Sequence, residues 1–288
     1  MGSRQRRALS NESDYVRPPA VAGLFYPPGK EELAGLVNDL LGKARENIDI
    51  EAPEKISVII SPHAGYIYSG YTAAHGYSLL HKGQFKTVVV VSPSHREYFD
   101  GVSVFSGGAF STPLGEIKID VDMRKKFLEA AGEIAVESQL GHKAEHAIEV
   151  QLPFLQMALG KFQLLPIVMG DQKPEYCKSL GAALARIGGE SGVLMVASSD
   201  LSHYYDYATA NEIDEVSVDD VESLDPERMM DDLENRRCEA CGGGPIVSCM
   251  YAARGLGLKR ASVLYHCNSG DSSGDKTAVV GYLSAIIS

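Results

Sequence analysis

Val58-Ile-Ile-Ser-Pro-His63-Ala-Gly-Tyr66 and its echo Val88-Val-Val-Val-Ser-Pro-Ser-His95 decide how this chain is read. Each opens with a short apolar run rich in β-branched residues, which reads as a strand buried on both faces, and each run ends in Ser-Pro with a histidine at or just beyond the end. Residues 70–80 between them have the composition of a helix, so the unit reads as strand, helix, strand, with the two strands parallel and adjacent. His63 and His95 then emerge at one carboxyl edge, where open α/β sheets place their ligand sites. Proline after a buried strand often does no more than end it, and a lone histidine there is more often structural than a ligand. Two neutral imidazoles converging on one point are hard to satisfy except by a metal or a polar substrate.

The alternation continues outward in both directions. Leu33, Leu36, Val37, Leu40 and Leu41 repeat at helical spacing before the first strand. After His95, residues 98–120 are rich in Gly, Ser and Phe with short β-like runs at 102–105 and 116–119, which reads as an irregular hairpin or lid. A short helix is expected over 122–131, strands over 162–169 and 193–198, and a helix over 175–186 between them. The acidic stretch to Asn235 reads as a solvated helical layer. Cys238-Glu-Ala-Cys241-Gly-Gly-Gly-Pro opens a helix to about Arg254, and runs at 262–267 and 277–287 close the sheet around a flexible loop at 268–275. No linker divides the chain, so a single domain over 17–288 is expected.

Composition sets bounds on function. With 288 residues, 44% hydrophobic and 23% charged, the chain has an ordinary globular profile and can bury a core. No apolar run approaches membrane-spanning length. The basic start Met1-Gly-Ser-Arg-Gln-Arg-Arg lacks the apolar core of a signal peptide, so residues 1–16 are expected to be a frayed tail on a cytoplasmic protein. A net charge of −11 argues against nucleic acid or an anionic membrane as the main partner. Cys177, Cys238, Cys241, Cys249 and Cys267 are odd in number and scattered, which suits free thiols in a reducing compartment.

Three constellations could carry chemistry. The first joins His63 and His95 to Asp200, His203 and Cys241. Asp200 and His203 follow the strand expected at 193–198 and so share its edge. Two imidazoles with a carboxylate suit non-haem Fe(II), and two imidazoles with a thiolate suit Zn, Cu(I) or iron. The second, His142-Lys-Ala-Glu145-His146, has the spelling of an inverted zinc-peptidase motif, whose histidines would share a face if they lay on a helix, with Glu145 as base. The third is the Cys238-x-x-Cys241 pair, which lacks the second pair of a structural zinc site. Cys241 precedes three glycines at a helix amino terminus, where the dipole favours thiolate, and the competing reading is a small residue packed at a tight turn.

From Arg17 to the carboxyl end, the chain resembles the Memo family, also called the AmmeMemoRadiSam system protein B family. The resemblance rests on Arg17 to Pro27, Ser61-Pro-His63-Ala-Gly-Tyr66, Ser92-Pro-Ser-His95, the stretch from Glu145-His146 through Glu149 and Gln151 to Leu155, Ser198-Ser-Asp200-Leu-Ser-His203 and Asp271-Ser-Ser-Gly-Asp-Lys276. It implies a fold similar to the class III extradiol dioxygenases, a single α/β domain with a mixed, mostly parallel central sheet flanked by helices. It also implies that His63, His95 and Cys241 ligate a metal, with Asp200 and His203 nearby, His203 as the acid/base group and His146 as a supporting or substrate contact.

Fe(II) is the cofactor this implies first, with Cu or Zn as alternatives. The expected function is a mononuclear non-haem iron or copper redox enzyme acting on a small or aromatic substrate. The alternative is a non-catalytic metal-binding or adaptor protein that sequesters the metal or docks a peptide. Cys241 stands where the dioxygenases have a carboxylate, and a softer, oxidisable ligand means that ring cleavage does not carry over directly. Family members are described as binding phosphotyrosine peptides in animals, but no arginine cluster here suggests phosphate recognition. AMMECR1-type and radical-SAM partners follow from family association alone.

Overall fold

A computed structural model describes residues 14–50 and 53–288 of the chain. From its start the chain forms β1 (Val16–Arg17), α1 (Lys30–Glu46), β2 (Val58–Ser61), α2 (Tyr66–Ser78) and β3 (Thr87–Pro93). It continues through β4 (Val102–Phe105), β5 (Ala109–Thr112), β6 (Gly115–Lys118), α3 (Val121–Ala131), β7 (Ala135–Ser138), α4 (Leu152–Leu159), β8 (Gln163–Met169) and α5 (Pro174–Gly188). The last third holds β9 (Val193–Ser198), β10 (His203–Tyr205), α6 (Tyr207–Ser223), α7 (Pro226–Glu234), α8 (Gly243–Gly255), β11 (Ala261–Asn268), α9 (Ser269–Ser273) and β12 (Val279–Ile287).

Among the described residues the central sheet has the strand order β10-β12-β2-β9-β3-β8-β4-β7, with β11 paired to β12. Its middle, β2, β9, β3 and β8, is parallel, and β12 and β4 run antiparallel on either side. The fold is therefore a single α/β domain with a mixed central sheet between helices, as the sequence pattern implies. The strands are continuous apolar runs because both faces are covered. Alternate residues feed two cores: Val58, Ile60, Val89 and Val91 point to the helices α3, α5, α7 and α8, while Ile59, Val88 and Val90 point to α1, α2 and α4. Full burial of each such side chain contributes about 1.5–3 kcal/mol.

Several local expectations are corrected. β2 and β3 are parallel but not adjacent, because β9 lies between them and pairs with both. Three buried apolar strands look interchangeable in sequence, and their order is chosen by how the intervening helices cover the two faces. Residues 98–120 form neither a lid nor one hairpin. β4 joins the central sheet against β8, while β5 pairs with β6 on one side and β1 on the other in a small separate sheet. The loop expected at 268–275 contains α9, whose start is held by reciprocal bonds between Asn268 and Asp271. Of the tail expected over 1–16, residues 1–13 lie outside the described residues. Tyr15 and Val16 are held, Val16 pairing with Ala109 and the Tyr15 carbonyl accepting from the Gly108 N–H at 2.9 Å.

The most consequential packing in the amino-terminal segment is polar. Arg17 is wholly buried, its Nε donating to the His142 carbonyl at 2.8 Å and its Nη1 to Glu149 Oε2 at 2.6 Å. Nη2 donates to the Glu145 carbonyl, and the Phe110 ring lies 4.9 Å from the guanidinium. Glu149 in turn accepts from the Ala20 and Val21 N–H groups and the Tyr26 hydroxyl, so no buried lone pair is left idle. This ties the amino-terminal segment to the stretch that carries Glu145 and His146. Arg17→Met leaves the Glu149 carboxylate buried without its cation. It is expected to cost about 3–5 kcal/mol in denaturant unfolding, whereas a loss below about 1 kcal/mol would show that the guanidinium is not the tie.

Candidate metal centre

The carboxyl ends of β2, β9 and β3 lie side by side, and each hands over to a site loop. Pro62 stops β2 one residue before His63, β3 ends at Pro93 two residues before His95, and β9 ends at Ser198 two residues before Asp200. Cys241 reaches the same place from the turn before α8. One ligand atom from each of His63, His95 and Cys241 lies within 4.8 Å of the other two. Cys241 Sγ is 3.1 Å from His63 Nε2, and the His63 and His95 rings are 5.1 Å apart between centroids.

Hydrogen bonds on the far side of each ring decide which nitrogen faces inward. The single hydroxyl proton of Ser198 goes to the Ala147 carbonyl at 2.7 Å, so Ser198 Oγ accepts from the Gln151 amide at 2.7 Å and from His63 Nδ1 at 2.9 Å. His63 is thereby a donor at Nδ1 and bare at Nε2. Glu145 does the same for His95, accepting from its Nδ1 at 2.9 Å and its backbone N–H at 2.7 Å. It also accepts from the N–H groups of His146 and Ala147, both at 2.9 Å. A second group, His95, Glu145 and His146, also brings its ligand atoms within 4.8 Å of one another. With four hydrogen bonds already on its carboxylate, Glu145 there orients imidazoles rather than ligating.

Asp200 fastens two of the candidate ligands to each other. Its Oδ1 accepts from the His63 N–H at 2.7 Å, its N–H points to Cys241 Sγ at 3.3 Å, and its carbonyl accepts from the Cys241 N–H at 3.2 Å. The turn needs Gly242, since a Cβ there would lie 2.3 Å from the Ser198 carbonyl oxygen. His146 stacks on His95 at 4.8 Å, stands edge-on to His63 at 5.4 Å and packs against Phe25 at 4.8 Å. His203 opens β10 and lines a cavity of about 780 Å³ together with Cys241, Leu201, Tyr205, Lys173 and Arg236. Among the described residues its side chain makes no hydrogen bond within the protein.

The other two constellations are not assembled. Residues 142–146 form turns rather than a helix, so His142 and His146 do not share a face. His142 is buried with Nε2 3.2 Å from the Ser103 carbonyl, which removes the peptidase arrangement. Cys238 is buried beside Ser217 of α6, whereas Cys241 faces His63. Glu145, Ser198 and Gln151 were readable as motif residues, but nothing local to them signals that they orient rings many positions away.

Burial controls the charges. It pushes His63 down to about 3, with His95 adding to the effect, and brings His146 to about 4 and His142 to about 3. These imidazoles are neutral and have lone pairs to offer. Burial alone would raise the Glu145 carboxyl, yet the bonds from His95 hold it at about 2. Asp200 is raised by burial against the opposing bond from His63.

Cys241 is raised by burial and by the nearby Asp200, against the thiolate that the helix end favours. Desolvation outweighs the dipole, and a metal binding there would displace a proton. Two imidazoles and a soft sulfur that borders a cavity fit Zn, Cu or Fe rather than the oxygen-seeking Mg²⁺ or Ca²⁺.

The pH dependence of stability follows from these shifts. The unfolded histidines bind protons below about 6.5 while the folded ones stay neutral down to 3 or 4, and the Glu145 contribution is lost between 4.5 and about 2. Unfolding free energy of the metal-free protein, measured in denaturant at a series of pH values, should therefore fall steadily as the pH drops below about 6.5. The carboxyls of Asp200 and Asp220, raised by burial, act in the opposite sense and make this fall shallower, so the check is a comparison: His142→Gln should show a smaller loss between pH 7 and 5 than the wild type, and an unchanged loss would contradict a neutral buried imidazole.

No described helix is long and apolar enough to cross a membrane. A crystal structure of an uncharacterized protein from Escherichia coli K12 shares the fold, with a TM-score of 0.51 and 14% identity over 81% of this chain and 100% of that one. A MEMO1 family protein of Methanosarcina mazei is 42% identical over 94% of this chain and 99% of its own. Relatives under the same name from Thermotoga sp. and Nitrosopumilus maritimus are 37% and 35% identical, covering 94% and 93% of this chain and 99% and 98% of their own. The family model described as Memo-like protein matches residues 17–286. The chain belongs to the Memo-like protein family.

Proposed function

We propose that this protein is a mononuclear non-haem metal enzyme, with iron held by His63, His95 and Cys241 and a small or aromatic organic substrate admitted through the adjoining cavity. The observation that carries the reading is the mutual approach, within 4.8 Å, of one donor atom from each of the three residues, two of them imidazoles whose Nδ1 atoms are bonded to Ser198 and Glu145. Bound iron would supply redox chemistry with dioxygen.

The chain's own residues have separate tasks in this reading. Glu145 and Ser198 hold the two rings, and Asp200 keeps His63 and Cys241 in register. His203, on the cavity wall, takes the proton from a substrate hydroxyl, and His146 packs against both ligand rings. The proposal includes a cytoplasmic setting, which the five free cysteines support. AMMECR1-type and radical-SAM partners are included by family association.

Metal analysis of protein purified without oxygen tests the site. Stoichiometric iron is expected in the wild type and its loss in both His63→Ala and Cys241→Ser, and absence of any metal after loading would sink the proposal. His203→Ala should keep the metal while lowering oxygen-dependent turnover by about 10²–10⁴-fold. Unchanged turnover would remove His203 from its role. The soft thiol of Cys241 favours one other reading, a non-catalytic protein that holds copper or docks a partner. Stoichiometric copper with no oxygen uptake across a panel of catechols would select it.

A further inference from the structure

The three candidate ligands stand at the corners of a triangle, and the protein braces each side of it differently. Asp200 joins His63 to Cys241. Glu145, Ala147 and Ser198 join His63 to His95. The side from His95 to Cys241 runs through the loop after β8, which none of the sequence motifs covers.

Gln172 lies at the centre of that loop. Its Nε2 donates to the Cys241 carbonyl at 2.8 Å, and its Oε1 accepts from the Gly244 N–H at 2.7 Å. The amide thus grips the turn at both ends, using both of its functions. α8 has no side-chain cap from Gly242, so Gln172 also satisfies one of the helix's free amino-terminal N–H groups. Gly244 permits the approach, since a Cβ there would lie 2.8 Å from Gln172 Cβ.

The loop that presents Gln172 is itself clamped to the loop that carries His95. The Ser94 N–H donates to the Met169 carbonyl at 3.0 Å, and the Gly170 N–H to the Gly101 carbonyl at 3.0 Å. A Cβ at Gly170 would sit 2.2 Å from the Phe99 carbonyl oxygen, so only glycine lets the two backbones touch. Asp171 accepts from the Tyr98 hydroxyl at 2.8 Å and pairs with Lys173 at 2.6 Å.

The geometry points to Gln172 as a positioning residue for the metal centre, setting Cys241 Sγ relative to His95 through this clamp. The inference rests on the proposed His63, His95 and Cys241 site. It adds a residue from a fourth strand end, one that touches no ligand atom and acts through the backbone of Cys241.

Co(II) titration of the metal-free full-length protein under nitrogen tests it, read by affinity and by the sulfur-to-cobalt charge-transfer absorption at saturation. Gln172→Ala should weaken Co(II) binding by about 10–100-fold and shift or weaken that absorption, while the metal-free protein melts within a few degrees of wild type. If the alanine variant does not fold, Gln172→Glu decides. It keeps the side-chain volume and an acceptor for the Gly244 N–H but turns an oxygen toward the Cys241 carbonyl, and the same losses are expected. Wild-type affinity and absorption in a folded variant would overturn the role of Gln172, as would lowered stability with an unchanged absorption at saturation. Failure of the wild type itself to take up Co(II) would overturn the metal site rather than the role of Gln172.

Discussion

The Glu145 carboxylate is the constraint on which the site depends. It accepts four hydrogen bonds from His95, His146 and Ala147, and burial makes each stronger than it would be in water. A carboxylate removed from water is costly unless it is fully used, and these bonds are what keep it ionised. The arrangement holds only while residues 142–149 stay in place, and the buried Arg17 secures them through the His142 and Glu145 carbonyls and Glu149. A residue of the amino-terminal strand thus determines the direction in which an imidazole at the end of β3 points.

A second constraint is the common edge of the parallel strands. Because β2, β9 and β3 run the same way, their carboxyl ends lie in one row, and residues far apart in sequence arrive at one place without long loops. Cys241 is the exception, since it comes from a helix-capping turn and must be carried there. Asp200 and Gly242 bring the turn against β9, and Gln172 holds it from the β8 side. The sulfur therefore sits half-buried at the edge of the cavity, where desolvation and Asp200 favour the thiol until a metal displaces its proton.

Much of the architecture was legible in the chain. Continuous β-branched runs need both faces covered, and Ser-Pro directly after a run ends a strand, so the sheet, its edge and the exit points of His63 and His95 could be read from local pattern. The insertion of β9 between β2 and β3 was not legible, because Val193–Ser198 carries the same kind of apolar run as its neighbours. The zinc-peptidase spelling at 142–146 is empty for a related reason. Its spacing has meaning only on a helix, and Arg17 and Glu149 hold that stretch in turns instead. For Cys241 the helix end is visible in sequence, while the desolvation that raises its thiol is not.

By itself the sequence determined which residues were available as ligands, where the strands stop and which family the motifs resemble, since all of these depend on residue type and short-range spacing. Only the tertiary structure decided which nitrogen of each ring turns inward, that Glu145 orients rather than ligates, that His142 stays apart, and that Gln172 reaches the Cys241 turn. Each of these depends on a hydrogen bond or a loss of solvent between segments tens of residues apart, and no local pattern encodes a partner that folding alone brings within 3 Å.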